Sequence, residues 1–139
     1  MTPFPLKIVT PDGISFDGLA ESVTVRSTSG DLGILAGHTN LVAPLGMGRC
    51  AIMIDGKRRY AACIGGMVSV LDGKVTLVPT TFEWAEDIDA ARVERSYELA
   101  QSVLGRKDAS TTELTLAEAR LKRALVRKSV TETKETQKA

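Results

Sequence analysis

The only histidine, His38, closes a nine-residue stretch that carries three glycines, Gly30-Asp31-Leu32-Gly33-Ile34-Leu35-Ala36-Gly37-His38, ahead of Thr39-Asn40-Leu41-Val42-Ala43-Pro44-Leu45. An imidazole can move protons, and a glycine-rich turn can lay backbone N–H groups around a phosphate. Neither chemistry is completed here. His38 has no nucleophile or base paired with it in sequence, and the glycines follow neither the P-loop spacing, with its lysine, nor the dinucleotide fingerprint. They read instead as residues for tight turns and close backbone approach. The expected catalytic set is therefore empty.

Cys50 and Cys63 are the other chemically competent pair. Both sit in apolar, strand-like segments. With one histidine they fall short of the about four ligands that a zinc site needs, so no metal is expected. They read as buried thiols. Arginines offer a third possibility. Arg120, Arg123 and Arg127 recur at 3, 4 spacing on one helical face, and Arg92 and Arg95 flank the apolar stripe of the helix before. Folding the two helices together would gather guanidinium groups, and their repulsion would favour an anion between them. The same pattern also suits solvated surface charge offset by Glu94, Glu98 and Glu118, where exposed pairs are worth only ~0.3–0.5 kcal/mol.

The elements that must position these residues change character near Phe82 to Asp87. Before it, apolar segments are short and β-branched. Leu6-Lys7-Ile8-Val9-Thr10 ends at the turn Pro11-Asp12-Gly13, and Ser22 to Ser27 alternates with period two. Cys50 to Ile54 meets Asp55-Gly56 and returns as Lys57 to Ala61. Met67 to Leu71 meets Asp72-Gly73 and returns as Lys74 to Val78. Asp-Gly between two such runs signals a two-residue hairpin. The expectation for residues 1–85 is an antiparallel β-sandwich or barrel.

From residue 86 the period becomes helical. Asp87 is the expected cap of the first helix, with Asp89 at its positive end. Val93, Tyr97, Ala100 and Leu104 share one stripe, and Gly105 stops the helix. Ser110-Thr111-Thr112-Glu113 fits a capping box, after which Leu114, Ala117, Leu121 and Ala124 repeat the stripe. Two short helices joined by about five residues read as an antiparallel hairpin over 86–130. Its stripes are narrow and alanine-rich, so docking should be weak and reversible. Residues 131–139 are polar throughout and read as a disordered tail.

The chain has 139 residues, is 43% apolar and 25% charged, and carries a net charge of +1. That balance gives no global field for nucleic acid or an anionic membrane. No apolar run approaches the roughly 18 residues of a bilayer span, and the N-terminus lacks a signal-peptide pattern. The expectation is a cytoplasmic protein whose membrane link runs through a partner.

Three stretches carry a resemblance to the epsilon subunit of bacterial F-type (rotary) ATP synthases. They are Gly30 to His38, Gly65-Gly66-Met67-Val68 with Val75-Thr76-Leu77-Val78, and Asp87-Ile88-Asp89-Ala90-Ala91-Arg92. The resemblance covers about residues 5 to 130, in a sandwich-then-hairpin order. It implies a non-catalytic central-stalk subunit that couples proton translocation to ATP synthesis. It places the protein at the cytoplasmic face of the membrane as a peripheral component. The sandwich would bind the gamma subunit and c-ring, with Leu32, Gly33, Gly37 and His38 as the rotor-binding segment.

The hairpin would lie folded, or extend toward the alpha/beta hexamer and block ATP hydrolysis. Lys122, Arg123, Arg127 and Lys128 would then meet acidic residues. No cofactor is required, but some members bind ATP in the folded form as a regulatory ligand. Ile88-Asp89-Ala90-Ala91-Arg92-Val93 is similar to their nucleotide motif, with Val93 in place of an alanine. Carried over, the ATP-binding residues are Ile88, Asp89, Arg92, Arg123 and Arg127. Where some ATP-binding members have two further arginines, this chain has Leu99 and Leu116. The rival reading is a free-standing ATP-sensing module outside any synthase.

Overall fold

The structure, a computed structural model, describes the backbone of residues 1–138 and the side chains of residues 1–132. Two units divide between Trp84 and Ala85.

The first unit is built from ten strands: β1 (Phe4–Thr10), β2 (Gly13–Ala20), β3 (Ser22–Ser27), β4 (Gly30–Ile34), β5 (Leu41–Pro44), β6 (Met47–Ile54), β7 (Lys57–Ile64), β8 (Met67–Leu71), β9 (Lys74–Val78) and β10 (Thr81–Trp84). They form two five-stranded sheets, in the orders β2-β1-β9-β8-β5 and β10-β7-β6-β3-β4. Period-two alternation sets the layers. Phe4, Leu6 and Ile8 of β1 point inward between exposed Pro5 and Lys7, and Val23 and Val25 of β3 do the same. Leu6, Ile8, Val23, Val25, Ile34, Ile52, Val68 and Leu77 join one core contributed by both sheets. The β-sandwich expectation holds.

The two Asp-Gly turns form as the sequence requires. Asp55 and Gly56 have φ of 51° and 74°, and Asp72 and Gly73 have 49° and 84°. Positive φ at both central residues is the type I′ geometry, whose twist matches paired strands. One pairing departs from an all-antiparallel expectation. β1 lies parallel to β9, Leu6 opposite Val75. These strands are distant in sequence, so no local turn constrains their direction. Gly66, at φ 94°, allows close approach: a Cβ there would run into Val78 O and Pro79 Cα.

The second unit opens with a 3₁₀ turn, Ala85–Asp87, followed by α1 (Ala90–Leu104) and α2 (Thr111–Lys138). Asp89, not Asp87, caps α1. Its carboxylate accepts from the N–H of Ala91 at 3.1 Å and of Arg92 at 3.2 Å. Asp87 is consumed by the 3₁₀ turn, which moves the cap on by two residues. Gly105 ends α1, with its N–H donating to Gln101 O at 3.0 Å. It does so at φ −84°, without the left-handed conformation that glycine usually supplies there. The capping box closes in both directions: Glu113 N–H donates to Ser110 Oγ at 3.1 Å, and Ser110 N–H to Glu113 Oε1 at 3.5 Å.

α2 corrects two expectations. It is 28 residues long rather than short, and it does not end near residue 130. Val130 is fully buried, and the Thr131 hydroxyl donates to Lys128 O at 2.9 Å. The polar composition of 131–139 argues for disorder, but it holds no glycine or proline. Extending an existing helix costs far less than nucleating one, so the helix runs through the breaker-free stretch to Lys138. The side chains of 133–139 lie outside the described residues.

Candidate functional site

The glycine-rich stretch occupies β4 and the loop to β5. β4 pairs only with β3 and forms an edge of its sheet. Alternation puts Leu32 and Ile34 inward: Ile34 is buried and Leu32 packs against the core. Leu32 is partly buried and supports the segment from behind. Gly33 and Leu35 face out, and Leu35 is 57% exposed. Period two from buried Ile34 accounts for the exposure of Leu35. A Cβ on Gly33 would meet nothing within 4 Å, and its φ does not require glycine. Nothing among the described residues therefore explains that glycine.

In the loop, the N–H of His38 donates to Leu35 O at 3.2 Å, with exposed Gly37 at φ 79° inside the turn. The His38 ring places Nδ1 2.8 Å from Thr39 O, which fixes its orientation. Among the described residues no cluster of histidine, cysteine and carboxylates could hold a metal ion.

Cys50 and Cys63 are buried free thiols. They point inward from adjacent strands, with Cys50 opposite Ala61 and Cys63 opposite Gly48. Burial pushes the Cys63 thiol up to about 12. Burial, helped by Cys63 itself, raises Cys50 as well. Neither can supply a thiolate near neutral pH.

The third group lies on the helical hairpin. Ile88 is buried, so it is a packing residue at the entry to α1. Asp89 is committed to the cap, and its carboxylate oxygen is already hydrogen-bonded to two backbone N–H groups. Arg92 lies exposed on the first turn of α1, while Arg123 and Arg127 are half-buried on α2. Lys122 is exposed. Lys128 is held by α1: its ammonium lies 3.0 Å from a Glu94 carboxylate oxygen and 4.3 Å from the centroid of the Tyr97 ring. The Glu94 hydrogen bond raises the Lys128 pKa above its ordinary value. Glu94 is thus a specific partner of Lys128 rather than one of several offsetting surface charges. Its 34-residue separation from Lys128 hides the pairing.

Leu99 and Leu116, from opposite helices, line one shallow groove of about 160 Å³ with Ala100, Val103, Glu113, Ala117 and Arg120. Both leucines are more than half exposed, at 60% and 54%. Glu113 is engaged by Ser110 and by Arg106. The groove is thus largely apolar, with Glu113 and Arg120 its only charged lining residues among those described.

Comparison with known proteins agrees with this two-part layout. Residues 3–85 match the family described as ATP synthase, Delta/Epsilon chain, beta-sandwich domain. Residues 86–132 match ATP synthase, Delta/Epsilon chain, long alpha-helix domain. The chain is 43% identical over 131 residues to an ATP synthase epsilon chain of Ruminococcus albus, spanning 94% of this chain and 97% of that one. It is 39% identical over 130 residues to the ATP synthase epsilon chain of Bacillus velezensis, spanning 94% and 98%. Its fold is similar to a chain of the Euglena gracilis mitochondrial ATP synthase, in a structure of OSCP, F1 and c-ring. The TM-score is 0.70 at 22% identity, over 100% of this chain and 83% of that one.

Proposed function

Because the chain belongs to the ATP synthase delta/epsilon family, as an epsilon chain, we propose that it is a non-catalytic subunit of the central stalk whose hairpin is a removable brake on ATP hydrolysis. The sandwich anchors on the gamma subunit and c-ring, at the cytoplasmic face of the membrane, and the outward side of β4 with the Gly37–His38 turn meets the rotor. Proton translocation and ATP synthesis are coupled through that attachment. The brake is α2: when the hairpin opens, Lys122, Arg123, Arg127 and Lys128 meet acidic residues of the alpha/beta hexamer.

The observation that carries the brake is the seam of the hairpin. Its buried residues include Val93, Ala100, Ala117, Ala124 and Val130, all alanine or valine, whose small side chains each have little apolar surface to bury. Opening is therefore cheap. It also frees Lys128, which the folded form ties to Glu94.

ATP is the proposed regulatory ligand of the folded form. With Leu99 and Leu116 supplying no charge, Arg92, Arg123 and Arg127 hold the phosphates, and Ile88 and Asp89 shape the turn beside them. Saturation at 100 times the dissociation constant adds about 2.7 kcal/mol to the folded form, enough to close a weakly docked hairpin. Calorimetric titration of the isolated chain with ATP tests this, beside an Arg92→Ala, Arg123→Ala double variant. Saturable heat that the variant loses supports the site. No heat up to millimolar ATP removes ATP from the mechanism and leaves contacts within the synthase in control. The free-standing sensor is disfavoured because the sandwich matches the family as well as the hairpin does. A sensor would need only the hairpin.

A further inference from the structure

The loop of residues 35–40 joins β4 to β5 and carries the turn that presents His38. β5 pairs with β8 from Leu41 opposite Val70, and that ladder stops at Leu41. One step beyond it, a side chain takes over. The N–H of Asp72 donates to Asn40 Oδ1 at 2.9 Å, and Asn40 Nδ2 donates to Asp72 Oδ1 at 3.4 Å. Asp72 is also the first central residue of the tight turn between β8 and β9, at φ 49°. The loop's exit is thereby pinned to a turn whose own backbone has little freedom.

Two features make the pair more than a surface contact. The partners are 32 residues apart, so they hold together segments that no local structure joins. The residues beside them are exposed and apolar: Leu71 is 62% exposed and Val42 is 69% exposed. Val42 lies opposite Ser69, two residues from Leu71 on the same face of the sheet. The clamp thus sits between the turn that presents Leu35 and His38 and a pair of exposed apolar side chains.

We propose that Asn40 and Asp72 are positioning residues for assembly: their reciprocal hydrogen bonds set the pose in which the 35–38 turn meets the rotor. The proposal rests on the reading that this turn docks there. A turn free to swing must be ordered on binding, and that ordering opposes association. The clamp does the ordering beforehand.

The test measures affinity of the full chain for a gamma–c-ring subcomplex by surface plasmon resonance, with melting temperature as the second readout. Asn40→Ala removes both hydrogen bonds. Asn40→Asp sets two carboxylates against each other. Adding Asp72→Asn to the latter restores one donor and one acceptor in exchanged places, and asparagine tolerates a positive φ. We expect Asn40→Ala and Asn40→Asp each to weaken binding about three- to tenfold, the scale of one or two exposed hydrogen bonds. The same bonds contribute to the fold, so the two single variants should also melt a few degrees lower, and the exchanged pair should recover most of both losses.

An exchanged pair that regains the parent's melting temperature but not its binding would make the hydrogen bonds merely structural and overturn the proposal. Undiminished binding by the Asn40 variants, while Leu35→Ser and His38→Ala weaken it, would overturn the clamp but keep the docking turn. Undiminished binding by all four would remove the docking turn and the clamp together.

Discussion

Replacing Ala124 by leucine should open the hairpin without unfolding the sandwich. Ala124 is 1% exposed and continues the stripe of Leu114, Ala117 and Leu121 along α2. It does not border the groove between Leu99 and Leu116. At 1% exposure, three added carbons must push neighbouring side chains aside, and overpacking of this kind costs about 1–3 kcal/mol. Spent on the equilibrium between docked and open helices, that raises the open population about 5- to 150-fold. Ala117 is the internal comparison. It is equally buried but borders the groove, so leucine there can extend into free space and should cost much less. Amide hydrogen exchange reads both, because exchange through local opening follows the opening constant. In Ala124→Leu, amides of residues 114–130 should exchange about 5- to 150-fold faster, with β-sandwich amides unchanged. Unchanged exchange in α2, or an Ala117→Leu variant as disruptive as Ala124→Leu, would refute the reasoning.

Three further outcomes follow from the same structure. Gly66→Ala should destabilise the sandwich by of order 3 kcal/mol or more, because the new Cβ meets Val78 O at a φ that L residues avoid; thermal melting checks it. Asp89→Ala should cost about 1 kcal/mol, read as faster exchange at the start of α1 and little change in α2. The buried thiols should resist a disulfide reagent at pH 8 until the protein unfolds. Their folded pKa values lie above the ordinary 9.0, Cys63 at about 12, so each favours the folded state fully below pH 9.0. That contribution declines as pH rises from 9.0 toward 12, and denaturant titrations across this range should fall accordingly.

The parts of this fold that were legible in the sequence are those with local causes. Asp55-Gly56 and Asp72-Gly73 dictate their turns, and the alternation beside each dictates which face is buried. Ser110 and Glu113 announce the start of α2. Strands β4 and β5 were harder to read. Gly30 and Gly33 in the first and Pro44 in the second have poor strand propensity, and pairing with β3 and β8 imposes their conformation. The same limit hid the partnerships that organise the candidate sites. Asn40 with Asp72, and Glu94 with Lys128, are separated by 32 and 34 residues, so only the folded chain brings them together. Asp89 prevailed over Asp87 as a cap because a 3₁₀ turn intervened, which local composition does not announce. The tail shows the opposite failure: composition favoured disorder, but an established helix met no breaker.

The rate of ATP hydrolysis by a reconstituted catalytic sector tests the brake most directly, with the full chain compared against one ending at residue 86. Both should assemble through the sandwich, and the sector carrying the truncated chain should hydrolyse ATP faster. Equal rates in two fully assembled complexes would contradict the account, and the hairpin would then not be a brake.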